Sequence, residues 1–328
     1  MTLQEIFDLA INIGIKNDPR GKKGVQDILK LNRKEYKELP KQKQAEYDKD
    51  KFENPYSDSR ILFGNKSTKV KRVLMGVDID TAEVLLTNEL TKNGKKIDLI
   101  ISHHPIGKAL AKLHEVMDIQ TEVLKIAGVP ENIAEGVLKE RLEEVWRSIS
   151  PSNHYQSVDA AKLLGIPIIC VHTPADNCVW NFVNNTINQK KPKTVGEIVK
   201  VLKTIPEYKA AIELHAGPAI FAGDPKSRAG KIVVSGMTGG TSGSEKVYER
   251  MSHYGIGTEI AMHIREEDRT EAIKHYINVV IAGHIASDSL GLNIIMDELE
   301  KKGIDIVACS GFIRYSRQNI KSKKTSIG

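Results

Sequence analysis

The sequence predicts an α/β fold built from strand–helix–strand units, and three patterns predict it. Short runs rich in Val, Ile and Leu at 70–77, 97–101, 168–171, 219–221, 231–235 and 279–282 read as buried strands. Several are joined by stretches of helical periodicity, so consecutive strands are expected to lie parallel. Three of the runs end in histidine, and the carboxyl rim of an open α/β sheet is where sites are built.

The elements follow in order. Leu3, Ile6, Phe7, Ala10 and Ile11 repeat at helical spacing and open the chain with an amphipathic helix. Residues 16–54 are dense in Lys, Asp and Glu around Tyr36, Tyr47 and Phe52, and read as short polar helices joined by loops. Residues 1–69 thus form a polar helical extension. A first α/β unit spans 70–190. Its opening strand ends at Asp78 and Asp80, and Thr81 is a candidate cap for a helix that Asn93-Gly94 stops. Asp80 reads as a turn or cap residue, Asp78 as a candidate for holding a histidine tautomer. Residues 111–150 form a helical insertion of two apolar stripes separated by Gly128-Val129-Pro130, with His114 as a structural residue. A helix at 157–164, the strand at 168–171 and a helix at 178–187 lead to an exposed linker, Lys190 to Lys193. A second unit spans 194–328, with helices at 195–202 and 247–254. Its glycine-rich run at 236–245 lacks the P-loop lysine and the Rossmann spacing, so it reads as a tight turn walling a cleft more than as an anion cradle.

The chemistry gathers at the strand ends. The 97–101 run delivers His103 and His104 to a sheet rim, and Pro105 ends the strand. The 168–171 run ends in His172, with Asp176 four residues later. The 279–282 run is followed by Gly283, then His284 and Asp288 at i, i+4, which share one helix face. Neutral imidazoles beside carboxylates suit a transition metal such as Zn, Mn, Fe or Ni.

These residues carry a resemblance. D-L-I-I-S-H-H-P at 98–105, H-T-P-A-D at 172–176, G-G-T-S-G-S at 239–244, G-T-E-I-A-M-H at 257–263 and A-G-H-I-A-S-D at 282–288 are similar, in this order, to motifs of the NGG-interacting-factor-three family. Its bacterial members are often labelled GTP cyclohydrolase type 2 homologues. The resemblance spans about 70–328. It implies two α/β lobes with mixed, largely parallel sheets facing a metal-binding cleft. It further implies two divalent ions held by His103, His104, Asp176, His284 and Asp288, and assembly as a homohexamer. His172 and Glu259 become candidate proton shuttles, with a helix N-terminal charge as the plainer role for Glu259. The chain departs from the pattern at Asp288, where the family usually has Glu, at Pro174-Ala175, where it usually has Asn-Leu, and in the length of 111–150. A metal-dependent hydrolase acting on a nucleotide, phosphoester or heterocyclic C–N bond is the implied activity. A metal-handling protein and an interaction scaffold stay open beside it.

Composition narrows the setting. The 328-residue chain has no 18-residue apolar run and no secretory pattern at its start, which points to the cytoplasm and away from a membrane. Three cysteines without C-x-x-C pairing argue against a disulfide framework or a thiolate zinc site. The net charge of +6 comes with acids interspersed among the lysines, which argues against nucleic acid. A nucleotide or other phosphorylated small molecule remains the expected partner, besides further copies of the chain.

Overall fold

The computed structural model describes residues 1–318. Nine strands form two sheets among the described residues. The first contains β1 (Arg60–Phe63), β2 (Arg72–Gly76), β3 (Leu99–Ser102), β4 (Ile168–Cys170) and β9 (Asp305–Cys309), in the order β1-β4-β3-β2-β9. The second contains β5 (Ala219–Ala222), β6 (Lys231–Gly236), β7 (Ile256–Ala261) and β8 (Asn278–Ile281), in the order β5-β8-β7-β6. In each sheet one edge strand is antiparallel, β1 on β4 and β5 on β8, and the other pairings are parallel. This is the expected α/β architecture with mixed, largely parallel sheets. All four residues of β3 are buried, as its unbroken apolar run requires of a strand covered on both faces.

The β2–helix–β3 unit forms as its sequence dictates, with one correction. Asp80, not Thr81, caps the Thr81–Lys92 helix, and Glu83 returns a bond to the Asp80 backbone. Carboxylate and Glu at this spacing satisfy two of the free N–H groups at the helix start.

Two expected boundaries do not match the sheets. The first 69 residues are not simply a polar extension. The Leu3–Asn17 helix buries Leu3, Ile6, Phe7, Ala10 and Ile11 in the core of the first sheet, and β1 is that sheet's edge. An apolar stripe of that width needs a partner surface, and the Thr173–Lys190 helix supplies it: a Cβ on Gly14 would lie 2.7 Å from Pro174 Cα. The polar portion is the Gly21–Glu38 helix, which buries only Val25, and the segment after it, whose Tyr47 and Phe52 cluster with Tyr36 of the helix. Nor does 194–328 keep to one sheet, because β9 returns to pair with β2 in the first. Residues 319–328 of that expected unit lie outside the described residues.

Two helices tie the halves together. The Thr173–Lys190 helix places Ala175 and Cys178 in the first core and Val179, Trp180, Val183 and Ile187 in the second. The His284–Glu300 helix does the reverse, with Ala286 and Leu290 in the second core and Leu292, Ile295, Met296 and Leu299 in the first. They cross at Gly291, where any Cβ would collide with the Ala175 carbonyl. No helix among the described residues is long and apolar enough to cross a membrane.

Candidate metal centre

Three strand ends meet at this crossing. β3 runs into His103 and His104, whose backbone N–H groups continue the ladder to the carbonyls of Gly76 and Val77 at 3.1 and 2.9 Å. β4 runs into His172, and the helix that starts at Thr173 turns Asp176 back toward it. β8 is followed by Gly283 at φ +107°, a conformation that favours glycine, and the helix then presents His284 and Asp288 on one face.

The distances are compatible with atoms that could hold cations. His103 Nε2 lies 3.5 Å from Asp176 Oδ1 and 3.4 Å from Asp288 Oδ1. His172 Nε2 lies 3.6 Å from Asp176 Oδ2. On the other side, His104 Nε2 and His284 Nε2 lie 3.4 and 3.7 Å from Asp288 Oδ2. Ligand atoms about 2.1 Å from one tetrahedral ion stand about 3.4 Å apart. Two groups have one ligand atom per residue all within 4.8 Å of one another, His103–His172–Asp176 and His103–His104–Asp288. Asp288 turns one oxygen to His103 and the other to His104 and His284, despite being one methylene shorter than Glu.

The polar bookkeeping also asks for a cation. His103 Nε2, Asp176 Oδ1 and both carboxylate oxygens of Asp288 are buried without a hydrogen-bond partner. Buried polar atoms normally have partners, and four orphans converging on one spot fit a bound metal. Burial, with Asp288 and Asp58 nearby, holds the Asp176 carboxyl well above its usual range. Asp288 is driven the other way: burial opposes its ionisation, but His103, His104 and His284 outweigh it. Burial lowers His104, yet Asp288 and Asp78 more than offset it and raise its pKa to about 9.

Each inner histidine is oriented from behind. His103 Nδ1 faces the Val171 carbonyl at 3.1 Å, His104 Nδ1 faces Asp78 Oδ1 at 2.7 Å, and His172 Nδ1 faces Asp58 Oδ2 at 2.7 Å. An acceptor behind Nδ1 draws the proton there and leaves Nε2 as the inward lone pair. Asp58 is buried and also accepts from Thr173 Oγ1 at 2.6 Å. Burial raises its pKa, but His172 and Thr173 outweigh that and lower it overall.

The structure therefore brings His103, His104, Asp176, His284 and Asp288 together and adds His172 to them. Asp58 had no signal in the sequence, since it sits before β1 and follows no strand-end pattern. His263 is a second addition, its ring 4.7 Å from that of His284 and its Nδ1 3.1 Å from Ser242 Oγ. Burial lowers its pKa to about 4. Glu259 stands apart from both groups. It lies within β7, not at a helix start, so the helix-charge role does not apply. Ser235 and Tyr248 donate to its two oxygens, the latter at 2.7 Å, and burial raises its pKa. It lines a pocket with Asp176, His263 and the glycine-rich turn. That turn is held by the insertion: Gln120 donates to the Gly239 and Thr241 carbonyls, each at 2.7 Å, and Arg141 donates to the Ser242 carbonyl at 3.2 Å. A Cβ on Gly239 or Gly243 would meet Gln120 at 2.6 Å, which gives these glycines a packing reason.

Two α/β units whose strand ends surround a histidine–carboxylate cluster define the class: an α/β protein with a candidate metal centre between its sheets. The structure is similar to that of a NIF3 superfamily protein from Sphaerobacter thermophilus, with a TM-score of 0.68 and 27% identity over 78% of this chain and 91% of that one. Weaker matches are reduced HcgD from Methanocaldococcus jannaschii (TM-score 0.48, 13% identity, 76% and 87% covered) and a Bacillus cereus protein related to NIF3 (0.39, 11%, 77% and 91%). No family model and no curated protein matches the sequence. The chain thus shares its fold with a NIF3 superfamily protein.

Proposed function

We propose that the protein holds two divalent ions and uses them to hydrolyse a nucleotide, a phosphoester or a heterocyclic C–N bond. In this reading His103, His172 and Asp176 would hold one ion, and His104, His284 and Asp288 would hold the other. The observation that carries it is an asymmetry of exposure. The His104 and His284 side chains keep 26% and 39% of their surface open, whereas His103 keeps 0% and Asp288 1%. A structural site closes its coordination sphere, and a catalytic one leaves a side open. The ions would supply Lewis acidity and ease the ionisation of a water at neutral pH. The chain's own residues do the rest. Asp58 and Asp78 fix the His172 and His104 rings, so His172 serves as a ligand here and not as a proton shuttle. Glu259, in the wall of the adjoining pocket, is the proton-transfer group, its Oε2 accepting from the Tyr248 hydroxyl. Attack on the imidazole ring of GTP follows from the family resemblance.

Metal analysis of the purified protein comes first. Hydrolysis of GTP and of bis(p-nitrophenyl) phosphate is then assayed with the metal found. Turnover that depends on the ion and disappears in the His103→Ala, His104→Ala double variant is the expected result. The same open side suits ion delivery, so two ions with fast exchange and no turnover across both substrates favours a metal-handling role instead. The family resemblance also supports a homohexamer, to be checked by light scattering, where a clean monomer at micromolar concentration rejects it. Three free cysteines suit a reducing, cytoplasmic setting.

A further inference from the structure

A cleft of about 960 Å³ lies away from the metal centre, against β6, the uncovered edge of the second sheet. Its other walls are the Ile119–Ile126 helix, the later turns of the Thr173–Lys190 helix and the segment 191–194. Every charged residue lining it is a cation: Lys191, Lys193, Arg228 and Lys231. None of the four side chains has an ion-pair partner among the described residues. Elsewhere lysines commonly pair along their own helices, as Lys92 does with Glu89 at 2.7 Å and Lys162 with Asp159 at 3.0 Å.

Helix ends account for half of this charge. Lys191 is the C-terminal cap of the Thr173–Lys190 helix, and Lys231 Nζ is 2.9 Å from where a Cβ on Gly128 would stand, just past the Ile119–Ile126 helix. A cation is favourable at such ends. Lys193 and Arg228 have no such account. Backbone bonds pin their two segments side by side, Ala229 N–H to the Lys193 carbonyl at 2.9 Å and Val195 N–H to the Ser227 carbonyl at 3.0 Å, with Thr194 bridged to Arg228. Cations gathered in one cleft without a counter-ion attract an anion.

The rest of the lining is suited to more than a phosphate. Asn184 and Asn188, one helical turn apart, offer amides with no hydrogen bond among the described residues. Ile126 is 53% exposed at the mouth, and the Trp180 ring forms part of the apolar floor, its Nε1–H bonded to the Val234 carbonyl at 3.0 Å. We propose that this cleft binds a small phosphorylated molecule of nucleotide size. Its phosphates meet Lys193 and Arg228, its polar edge meets the two asparagines, and its apolar part covers Ile126 and Trp180. Cavities of this size and mixture hold such ligands. None of the proposed metal ligands lines the cleft, so the proposal stands independently of the hydrolase reading.

The chain has two tryptophans, so Trp146→Phe leaves Trp180 as the only indole reporter. The full-length variant is titrated with ADP and with pyrophosphate in the presence of a chelator, and its emission is followed. The expected result is a saturable change below about 1 mM. Lys193→Glu combined with Arg228→Glu weakens it at least tenfold, and Lys193→Ala with Arg228→Ala weakens it less. Both residues are exposed, and melting curves verify that the variants fold. His103→Ala with His104→Ala leaves the titration unchanged. No saturable change with either probe overturns the proposal, as does a change indifferent to Lys193 and Arg228. Loss of binding only in the histidine variant assigns the anion to the metal centre and overturns it too. Binding of an acidic peptide or an oligonucleotide where neither small anion binds replaces it with a macromolecular partner.

Discussion

Asp288 and Glu259 are buried carboxylates, 0% and 6% exposed, each near the carboxyl end of a strand of the second sheet. Their surroundings differ in kind. Both oxygens of Asp288 lack a hydrogen-bond donor and face imidazole nitrogens, whereas both oxygens of Glu259 are taken by the hydroxyls of Ser235 and Tyr248. A desolvated carboxylate is tolerated only if something compensates it. For Glu259 the protein supplies the compensation. For Asp288 the histidines supply part, and the orphaned oxygens call for a cation. Depth and residue type therefore do not separate the two carboxylates, and the unfilled acceptor positions do.

The largest expected effect comes from breaking the unfilled member. Asp288→Asn keeps the shape and removes the charge that faces three histidines. Titration calorimetry with Mn²⁺ or Zn²⁺ should show the stoichiometry fall from two to one or less, with affinity lost beyond the roughly 100-fold that marks outer partners. Two sites of unchanged affinity would reduce Asp288 to a helix acid. Next comes the crossing that delivers it. In Gly291→Ala the new methyl meets the Ala175 carbonyl, so the two helices must part, at about 1–3 kcal/mol or more of stability. Urea unfolding and metal titration should both worsen, and unchanged metal affinity would show that the close approach is not needed.

The supports behind the rings should rank by burial. Asp58 is fully buried behind His172, while the Asp78 side chain is 66% exposed behind His104. Asp58→Ala should weaken one ion about 10–100-fold and Asp78→Ala by less than about tenfold. Equal losses would contradict the ranking. Glu259→Gln should have the smallest effect and leave metal stoichiometry at two while turnover falls. Its pKa is raised in the folded protein, so its stabilising contribution is complete below the ordinary value of 4.5 and is lost as pH rises through the folded value. Gln does not ionise. The variant should therefore gain on the wild type in urea midpoints as pH rises above 4.5, and a pH-independent difference would show that the Glu259 pKa is not raised by folding.

Much of the centre was legible because its residues sit at positions that a strand pattern marks. His103 and His104 come just past the apolar run at 97–101 and His172 directly after that at 168–171, and His284 and Asp288 follow Gly283 at helical spacing. The orientation of the His172 ring was less legible, because it depends on what lies behind Nδ1. That is Asp58, more than 100 residues away in sequence. The strand β7 and the helices Pro206–Glu213 and Glu266–Lys274 were not foreseen, since Gly257 interrupts the first and short, weakly patterned runs make the others. The return of β9 to the first sheet was beyond local pattern, which reports that a run is a strand and not which edge it joins.

That return has a kinetic consequence. The chain starts the first sheet, leaves to build the second, and comes back to complete the first, so His103 and Asp288 meet across about 185 residues. Closing so long a loop is slow, and few of these ligands are neighbours before the native topology exists. Ions that recognise only the finished arrangement cannot seed it. Ions held there would act as a latch on the folded chain, lengthening its lifetime without hastening its arrival. Stopped-flow folding with and without Mn²⁺ should shift the unfolding arm alone, and faster refolding with metal would show that a partial centre forms early.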